Sequence, residues 1–293
     1  MESVSSWPFQ RFNDLTIQRF NASTPLPPVD LRSIARHIRS MNFDISHLLE
    51  QWDYQPGQVV VRKFVGKDGL EKIQLRIDLG LLQMNAQGRP DGKRPFGHPT
   101  LFDFHLAKLE QYRAKHGGSD QEFVLSGEDC AKLQLEAFQY HHRYVCLLQL
   151  EDYAGVVRDT TRNLKVFDFV EEYAESDEMA WSLQQFRAQV LMLQTRGAAA
   201  QFLENEEYAT ALKEIQAGIE RIREFYEEHS RHELAAQCPE ITGLQHWFEE
   251  VERKRPLTER EQLERDLTDA VKLEDYERAA RVRDALKKLK PAE

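Results

Sequence analysis

The chain has 293 residues, of which 41% are hydrophobic and 30% are charged, and its formal net charge is −10. This length allows one to three domains, and the composition is typical of a folded globular protein rather than a disordered or membrane-embedded one. Residues 165–250 hold 7 lysines and arginines against 18 aspartates and glutamates. Because nucleic-acid binding depends on clustered cations, this region is predicted to be a poor nucleic-acid surface.

Three cysteines, Cys130, Cys146 and Cys238, lie far apart and match neither a disulfide framework nor a metal-binding spacing. We interpret them as reduced core thiols. The sequence has no apolar run of about 18 residues and no charged leader followed by an apolar segment. We therefore expect a cytoplasmic protein that contacts no membrane.

The N-terminal 29 residues are polar and proline-rich with isolated aromatic residues, which predicts a loose arm. This arm either packs on its own protein, which we favour, or captures a partner. From Asp30, a suitable N-cap, the spacing of apolar residues predicts a short amphipathic helix. The helix opens a predicted small α+β domain over residues 30–118.

A β segment covers residues 57–85 in this domain. A valine run at 59–61 is followed by a turn at 66–69, after which Ile73, Leu75, Ile77 and Leu79 alternate with polar residues. Alternation of this kind predicts a β-hairpin with one buried face. The polar face carries four cations, namely Arg62, Lys63, Lys72 and Arg76.

The loop at residues 88–99, GRPDGKRPFGHP, is rich in glycine, proline and cations. A nucleotide-binding P-loop requires four residues between its glycines and a hydroxyl after its lysine. Here Gly88 and Gly92 are one residue too close, and Arg94 replaces the hydroxyl residue. We favour a proline-stiffened surface loop, and the alternative is contact of Arg89, Lys93 and Arg94 with an anion or nucleic acid.

Helical periodicity continues from Leu101 onwards. Helices are predicted at 101–117, 127–149, 152–173, 177–203, 206–229 and 240–252, with Ser126 as the N-cap of the second. Short connections between them predict antiparallel neighbours, so residues 119–252 form a helical array. The sequence thus predicts a mainly α protein.

A loose repeat within this array has a shift of 55 residues, which aligns Tyr153 with Tyr208. Residues 130–229 resemble a tetratricopeptide repeat, in which small residues allow two helices to approach and a tyrosine fills their elbow. The residues that carry the resemblance are Gly197, Ala200, Tyr208, Ala211, Ile215 and Gly218.

The phrase LEDY occurs at 150–153 and again at 273–276, and NEEY occurs at 205–208. We interpret it as a helix–helix elbow in which the tyrosine and small residues pack two helices. The longer stretch around the last copy, LTEREQLERDLTDAVKLEDYERAARVRDALKKL, resembles the UvrB/UvrC (UVR) motif over about residues 257–290. Leu273, Glu274 and Asp275 are predicted to supply its turn and N-cap.

The resemblance implies a helical hairpin, of bacterial type, that joins proteins together and has no catalytic residues. Two helices of about 15 residues are marginal in isolation, so such a hairpin needs another protein or a second copy of itself. The predicted partner-binding residues are Leu263, Leu267, Val271, Tyr276, Ala279, Ala280, Arg283, Leu286 and Leu289. Arg283 is predicted to form either a recognition ion pair or a pair with Asp266 or Asp269 within the hairpin.

Catalytic and metal-binding patterns are absent from the sequence. His229 and His232 are three residues apart and could share a metal, but a helix-end interaction is the favoured interpretation. We expect no metal and no cofactor. The leading hypothesis is a non-enzymatic scaffold or adaptor, and the alternative is a DNA-repair accessory protein that binds nucleic acid through the seven cations of the hairpin and the loop.

Overall fold

The computed structural model describes residues 44–289, so the predicted arm and the helix predicted from Asp30 lie outside the described residues. The strands are β1 (Val60–Val65), β2 (Glu71–Ile77) and β3 (Gly80–Asn85). The helices are α1 (Ser46–Glu50), α2 (Leu101–Lys115), α3 (Gly127–Gln149), α4 (Tyr153–Tyr173), α5 (Asp177–Gln184), α6 (Arg187–Glu204), α7 (Tyr208–Glu228), α8 (His232–Ala236), α9 (Pro239–Lys254), α10 (Glu259–Lys272) and α11 (Tyr276–Lys288). The predicted mainly helical fold with a small β element is confirmed.

Two compact units divide the described chain, at residues 44–198 and 199–289, with the boundary inside α6. In the first unit, Ile73 and Leu75 of the sheet share one core with Cys146 and Leu147 of α3 and Val156 of α4. Residues on both sides of the predicted boundary after residue 118 therefore contribute to one core.

The β segment is a three-stranded antiparallel meander rather than a single hairpin. Val61 pairs with Leu75, which pairs with Leu82, and these apolar residues lie on the core face. The predicted alternation was wrong at Leu79, which is 88% exposed in the two-residue turn between β2 and β3. Because a two-residue turn adds no run of polar residues between β2 and β3, their sequence pattern resembles that of one continuous strand.

Arg143 of α3 joins the sheet to the helices of the first unit. Its side chain is 1% exposed, and its Nε and Nη2 donate to the carboxylate of Asp159 in α4 at 2.6 and 2.9 Å. Its Nη1 donates to the carbonyl oxygens of Gly88 at 2.7 Å and Asn85 at 3.0 Å. One guanidinium therefore holds α3, α4 and the chain that leaves β3.

Glu136 forms a second buried anchor in the same unit. Its carboxylate, 0% exposed, accepts from the backbone N–H of Leu101 at 2.7 Å and from Nε of Arg89 at 2.8 Å, and it also pairs with Arg162. An anion at a helix N-terminus satisfies N–H groups that have no partner within the helix. Glu136 therefore fixes the start of α2 and one end of the loop at 88–99.

Most predicted helices match the observed ones, and the N-cap at Ser126 is confirmed, since its hydroxyl accepts from the N–H of Asp129 at 3.2 Å. The helix predicted at 177–203 is wrong, because α5 and α6 are separate. The side-chain amide of Gln184, at the end of α5, donates to the carbonyl of Phe167 at 3.2 Å. Gln184 thus makes a tertiary contact at the break, where the sequence has neither glycine nor proline.

In the second unit, α7 packs against α9. The apolar stripe of α7 contains Ala211, Ile215, Ile219 and Ile222, all at most 2% exposed. Their spacing of three or four residues places them on one helix face. Leu244 of α9 is completely buried, so these two helices share a core of their own.

Replacing Asp159 by alanine should lower the free energy of unfolding by about 3–5 kcal/mol, because Arg143 would remain charged and unpaired in the core. The matched control is Glu71→Ala, which breaks the exposed pair with Lys63 at 3.1 Å. That change should cost less than about 1 kcal/mol. Urea denaturation measures both, and equal losses would contradict the anchoring role of Arg143.

Two buried histidines should make the folded chain less stable at acidic pH. Burial lowers the pKa of His105, whose ring nitrogens have no hydrogen-bond partner, and lowers the pKa of His141 to about 3. In the unfolded chain the same histidines have an ordinary pKa of about 6.5, so they bind protons at a higher pH than in the folded chain. Their contribution to the free energy of unfolding is therefore largest above about pH 6.5 and decreases as the pH falls below that value.

The free energy of unfolding should therefore be smaller at about pH 5 than at about pH 7. His105→Leu should reduce this difference, because it removes one of the buried titrating groups. His232→Gln is the control, since His232 is exposed and should leave the difference unchanged. An unfolding free energy that does not change with pH over this range would contradict the prediction.

Candidate functional site

Helices α10 and α11 form an antiparallel hairpin that starts at a complete capping box. The hydroxyl of Thr258 accepts from the N–H of Glu261 at 3.2 Å, and the carboxylate of Glu261 accepts from the N–H of Thr258 at 2.8 Å. Arg255 donates twice to the same carboxylate, at 2.6 and 3.0 Å. The bonds from Arg255 and Thr258 lower the pKa of Glu261 to about 2, so this N-terminus stays capped at neutral pH.

The elbow between the two helices is a Schellman turn without glycine. The N–H of Asp275 donates to the carbonyl of Ala270 at 2.9 Å, and the N–H of Glu274 donates to the carbonyl of Val271 at 3.1 Å. Glu274 has a φ of 57°, in the left-handed region that glycine normally fills. The carboxylate of Asp275 then caps α11 by accepting from the N–H of Arg278 at 3.0 Å, which confirms the predicted turn and N-cap.

The same backbone turn occurs at all three copies of the repeated phrase. The residues with positive φ are Glu151 at 58°, Glu206 at 59° and Glu274 at 57°. In each copy the following N–H closes the turn with a bond of 2.9 Å to the carbonyl five residues earlier. The interpretation of the phrase as a helix–helix elbow is therefore confirmed.

The role predicted for the tyrosine is wrong in the last copy. Tyr276 is 71% exposed and does not fill the elbow between α10 and α11. The buried residues of the hairpin are instead Ala270 and Ala279, at 0% and 9% exposed. Small side chains at these positions allow the two helices to approach, which leaves no space for a ring between them.

Close approach through a small residue also occurs in the first unit, at Gly197 of α6. A Cβ atom there would lie 2.9 Å from Cγ1 of Val156 and 3.3 Å from the carbonyl oxygen of Tyr153, both in α4. A larger side chain at this position would therefore force α4 and α6 apart. The role of small residues in the predicted array is seen directly at this contact.

The predicted partner-binding residues divide into three groups. Those that are half-buried are Leu263, Leu267, Ala280, Leu286 and Leu289. Ala279 is buried inside the hairpin, whereas Val271 and Tyr276 are 52% and 71% exposed. Leu273, which the sequence analysis did not assign to the contact surface, is 73% exposed. We call Val271, Leu273 and Tyr276 the elbow patch.

Arg283 is exposed and lies 3.0 Å from the carboxylate of Asp284. The predicted alternative was a pair with Asp266 or Asp269 within the hairpin. The ion pair that Arg283 makes there is with Asp284, and Asp266 contacts Arg278 at 3.2 Å. A recognition ion pair of Arg283 with a partner stays a prediction.

Five of the seven cations predicted to bind nucleic acid are engaged within the first unit. Arg62 contacts Gln74 and the Trp52 ring, Lys63 pairs with Glu71, and Lys72 contacts Asp68 and Asn85. Arg76 donates to backbone carbonyls and lies over the Tyr54 ring. Arg89 pairs with Glu136 and Asp91. Arg76 is only 9% exposed, so it is not on an open basic face. Lys93 and Arg94 are exposed, and neither makes an ion pair within the part of the chain that the structure describes.

The cysteine thiols are buried, which raises the pKa of Cys130 and Cys238 to about 11 and that of Cys146 to about 12. They are therefore protonated at neutral pH and poor nucleophiles. Within residues 44–289, no group of three histidine, cysteine, aspartate or glutamate side chains is placed to hold a metal ion. In the same residues, no helix has the length and apolar character needed to cross a membrane.

The left-handed residue of the elbow can be tested directly. Glu274→Val should loosen α10 and α11, because a β-branched residue in this conformation costs about 1–2 kcal/mol, whereas Glu274→Gly should tighten them. Hydrogen exchange of residues 259–288 in the full chain measures both effects. The same substitutions at Glu151 should act in the same directions on α3 and α4, and an unchanged exchange rate in both valine variants would contradict this assignment.

Comparison with known proteins gives one match. A family model described as the UvrB/uvrC motif matches residues 258–290, from the N-cap Thr258 through α10, the elbow and α11. Neither the curated proteins nor the solved structures compared with the chain gave a match. Residues 258–290 are therefore a UvrB/uvrC motif, and its described part, residues 258–289, folds as a helical hairpin with an exposed apolar elbow.

Proposed function

We propose that this chain is a non-enzymatic scaffold or adaptor that holds another protein at the elbow patch. The UvrB/uvrC motif mediates contacts between proteins, which gives the class of function. The observation that carries the proposal is the exposure of Val271, Leu273 and Tyr276, at 52%, 73% and 71%, on a hairpin whose other large apolar residues are half-buried.

The elbow patch has the composition of a docking surface. Three large exposed apolar side chains lie within six residues at the elbow end of the hairpin. Burial of a leucine or valine side chain of this size against a partner contributes about 1.5–3 kcal/mol. An exposed tyrosine adds area and a hydroxyl at little cost in conformational entropy, which is why it is frequent at protein interfaces.

The charges beside the patch indicate what it contacts. Glu274, Asp275 and Glu277 are exposed at this turn together with Lys272 and Arg278, so acidic residues outnumber basic ones at the edge of the apolar surface. A complementary partner surface has apolar residues bordered by lysine or arginine. The partner is therefore proposed to be a protein with a basic rim around an apolar contact.

The double variant Leu273→Ser/Tyr276→Ser should reduce partner recovery at least about tenfold, because it removes most of the apolar contact. Quantitative mass spectrometry of proteins that co-purify with the full chain measures recovery. Both side chains point away from the core, so the circular dichroism melt should not change.

The matched control is Leu79→Ser, since Leu79 is 88% exposed in the first unit and distant in sequence from the hairpin. It should leave the same partners bound. Identical partner sets for the double variant, for the control and for a chain that ends at Arg255 would contradict the proposed function.

Light scattering over a concentration series separates the two kinds of partner. If the full chain is dimeric and the chain that ends at Arg255 is monomeric, the partner is a second copy. If both are monomeric, the elbow patch is open to a different protein.

A further inference from the structure

An aromatic residue is displayed at the tip of the loop at 88–99. Residues 95–98 form a tight turn in which the N–H of His98 donates to the carbonyl of Pro95 at 2.9 Å. Phe96 has a φ of 51° and a ψ of 26°, and Gly97 has a φ of 82°. Positive φ at both central residues defines a type I′ turn.

Phenylalanine is an unfavourable residue for this position. The first central position of a type I′ turn is normally asparagine, aspartate or glycine, because a bulky side chain is strained in the left-handed region. The side chain is also 70% exposed, so burial does not compensate for the strain. The turn therefore holds an aromatic ring in solvent at a cost to stability.

The ring is supported from one side only. Phe96 stacks on Phe104 of α2 with a centroid distance of 4.3 Å and an angle of 25° between the planes. His98 packs edge-on against Phe104, at 5.6 Å between centroids. The supported ring is thus held in place, and its opposite face is open.

Two exposed cations precede this ring in the sequence. Lys93 and Arg94 make no ion pair with any carboxylate of the described residues, in contrast to Arg89, which contacts Glu136 at 2.8 Å. The start of the loop is anchored through the carbonyl of Gly88 and the side chain of Arg89, and its end at Leu101 is anchored by Glu136. The tip therefore presents one supported ring, with two exposed cations two and three residues before it in the sequence.

We propose that Phe96, Lys93 and Arg94 form a contact site for single-stranded nucleic acid. A base stacks on the open face of Phe96 and extends the stack that begins at Phe104, and the two cations contact neighbouring phosphates. An aromatic platform beside cations is the general mode by which proteins hold unpaired strands. This site is independent of the function proposed for the hairpin.

The chemistry favours a single strand over a duplex. The faces of paired bases are covered by their neighbours in a double helix, so a protruding ring can stack only on an unpaired base or a strand end. Two cations match a contact of only a few nucleotides. Since the chain has a net charge of −10, affinity depends on stacking as well as on charge.

The test uses the full chain and fluorescent oligo(dT) and oligo(rU) of about 12 nucleotides, with anisotropy measured at about 50 mM salt. Phe96→Asn should weaken binding about 5- to 100-fold, because it removes the stacking surface. The same variant should raise the midpoint of urea unfolding, because asparagine is suited to the turn. These opposite effects separate loss of the site from loss of the fold.

The double variant Lys93→Ala/Arg94→Ala should reduce the slope of log affinity against log salt concentration by about 1.4, which corresponds to two phosphate contacts on a single strand. Lys67→Ala is the matched control, because Lys67 is an exposed lysine in the turn between β1 and β2. It should change neither the affinity nor the slope.

The proposal would be overturned by binding of neither oligonucleotide by the full chain, by equal binding by Phe96→Asn, or by duplex binding as tight as that of the single strand. Binding of an acidic, phenylalanine-containing peptide in place of the oligonucleotides would assign the surface to a protein ligand and would also overturn it.

Discussion

The buried guanidinium of Arg143 is the interaction on which the first unit depends. It pairs with Asp159 in the core, and its Nη1 donates to the carbonyl oxygens of Asn85 and Gly88 at the end of the sheet. Because a buried charge is tolerated only when it is paired and hydrogen-bonded, sheet and helices must keep these positions. Glu136 works in the same way at the start of α2. Together they hold both ends of the loop whose tip carries Phe96. Buried contacts in the core therefore position this exposed loop.

The three elbows show one local structure used in different surroundings. Each places a glutamate in the left-handed region and closes the turn with the same backbone bond. Tyr153 and Tyr208 are half-buried after their turns, whereas Tyr276 is exposed. The turn is set by local hydrogen bonds, while burial of the tyrosine depends on what packs beside it. A shared phrase therefore does not imply a shared function.

Much of the fold was predictable because its signals are local. Ser126 and Asp275 cap helices where expected, and the alternation of apolar residues identified the β segment. The predictions failed where a distant contact decides the structure. Gln184 contacts Phe167 at the break between α5 and α6, and Arg76 is buried although its pattern indicated an exposed polar face. Phe167 and the Tyr54 ring are both distant in sequence from the side chains that they contact, so no local pattern could indicate these two contacts.

The sequence by itself determined the helical hairpin, its turn and its caps, because these depend on bonds between residues at most six positions apart. It also indicated the motif at residues 258–290. Only the tertiary structure decided which side chains remain available. Leu273 and Phe96 are exposed, while five of the seven basic residues are engaged with the protein itself. The exposure and ion pairing of a side chain depend on neighbours that folding brings together. The elbow patch and the loop tip at Phe96 were therefore identified only from the tertiary structure.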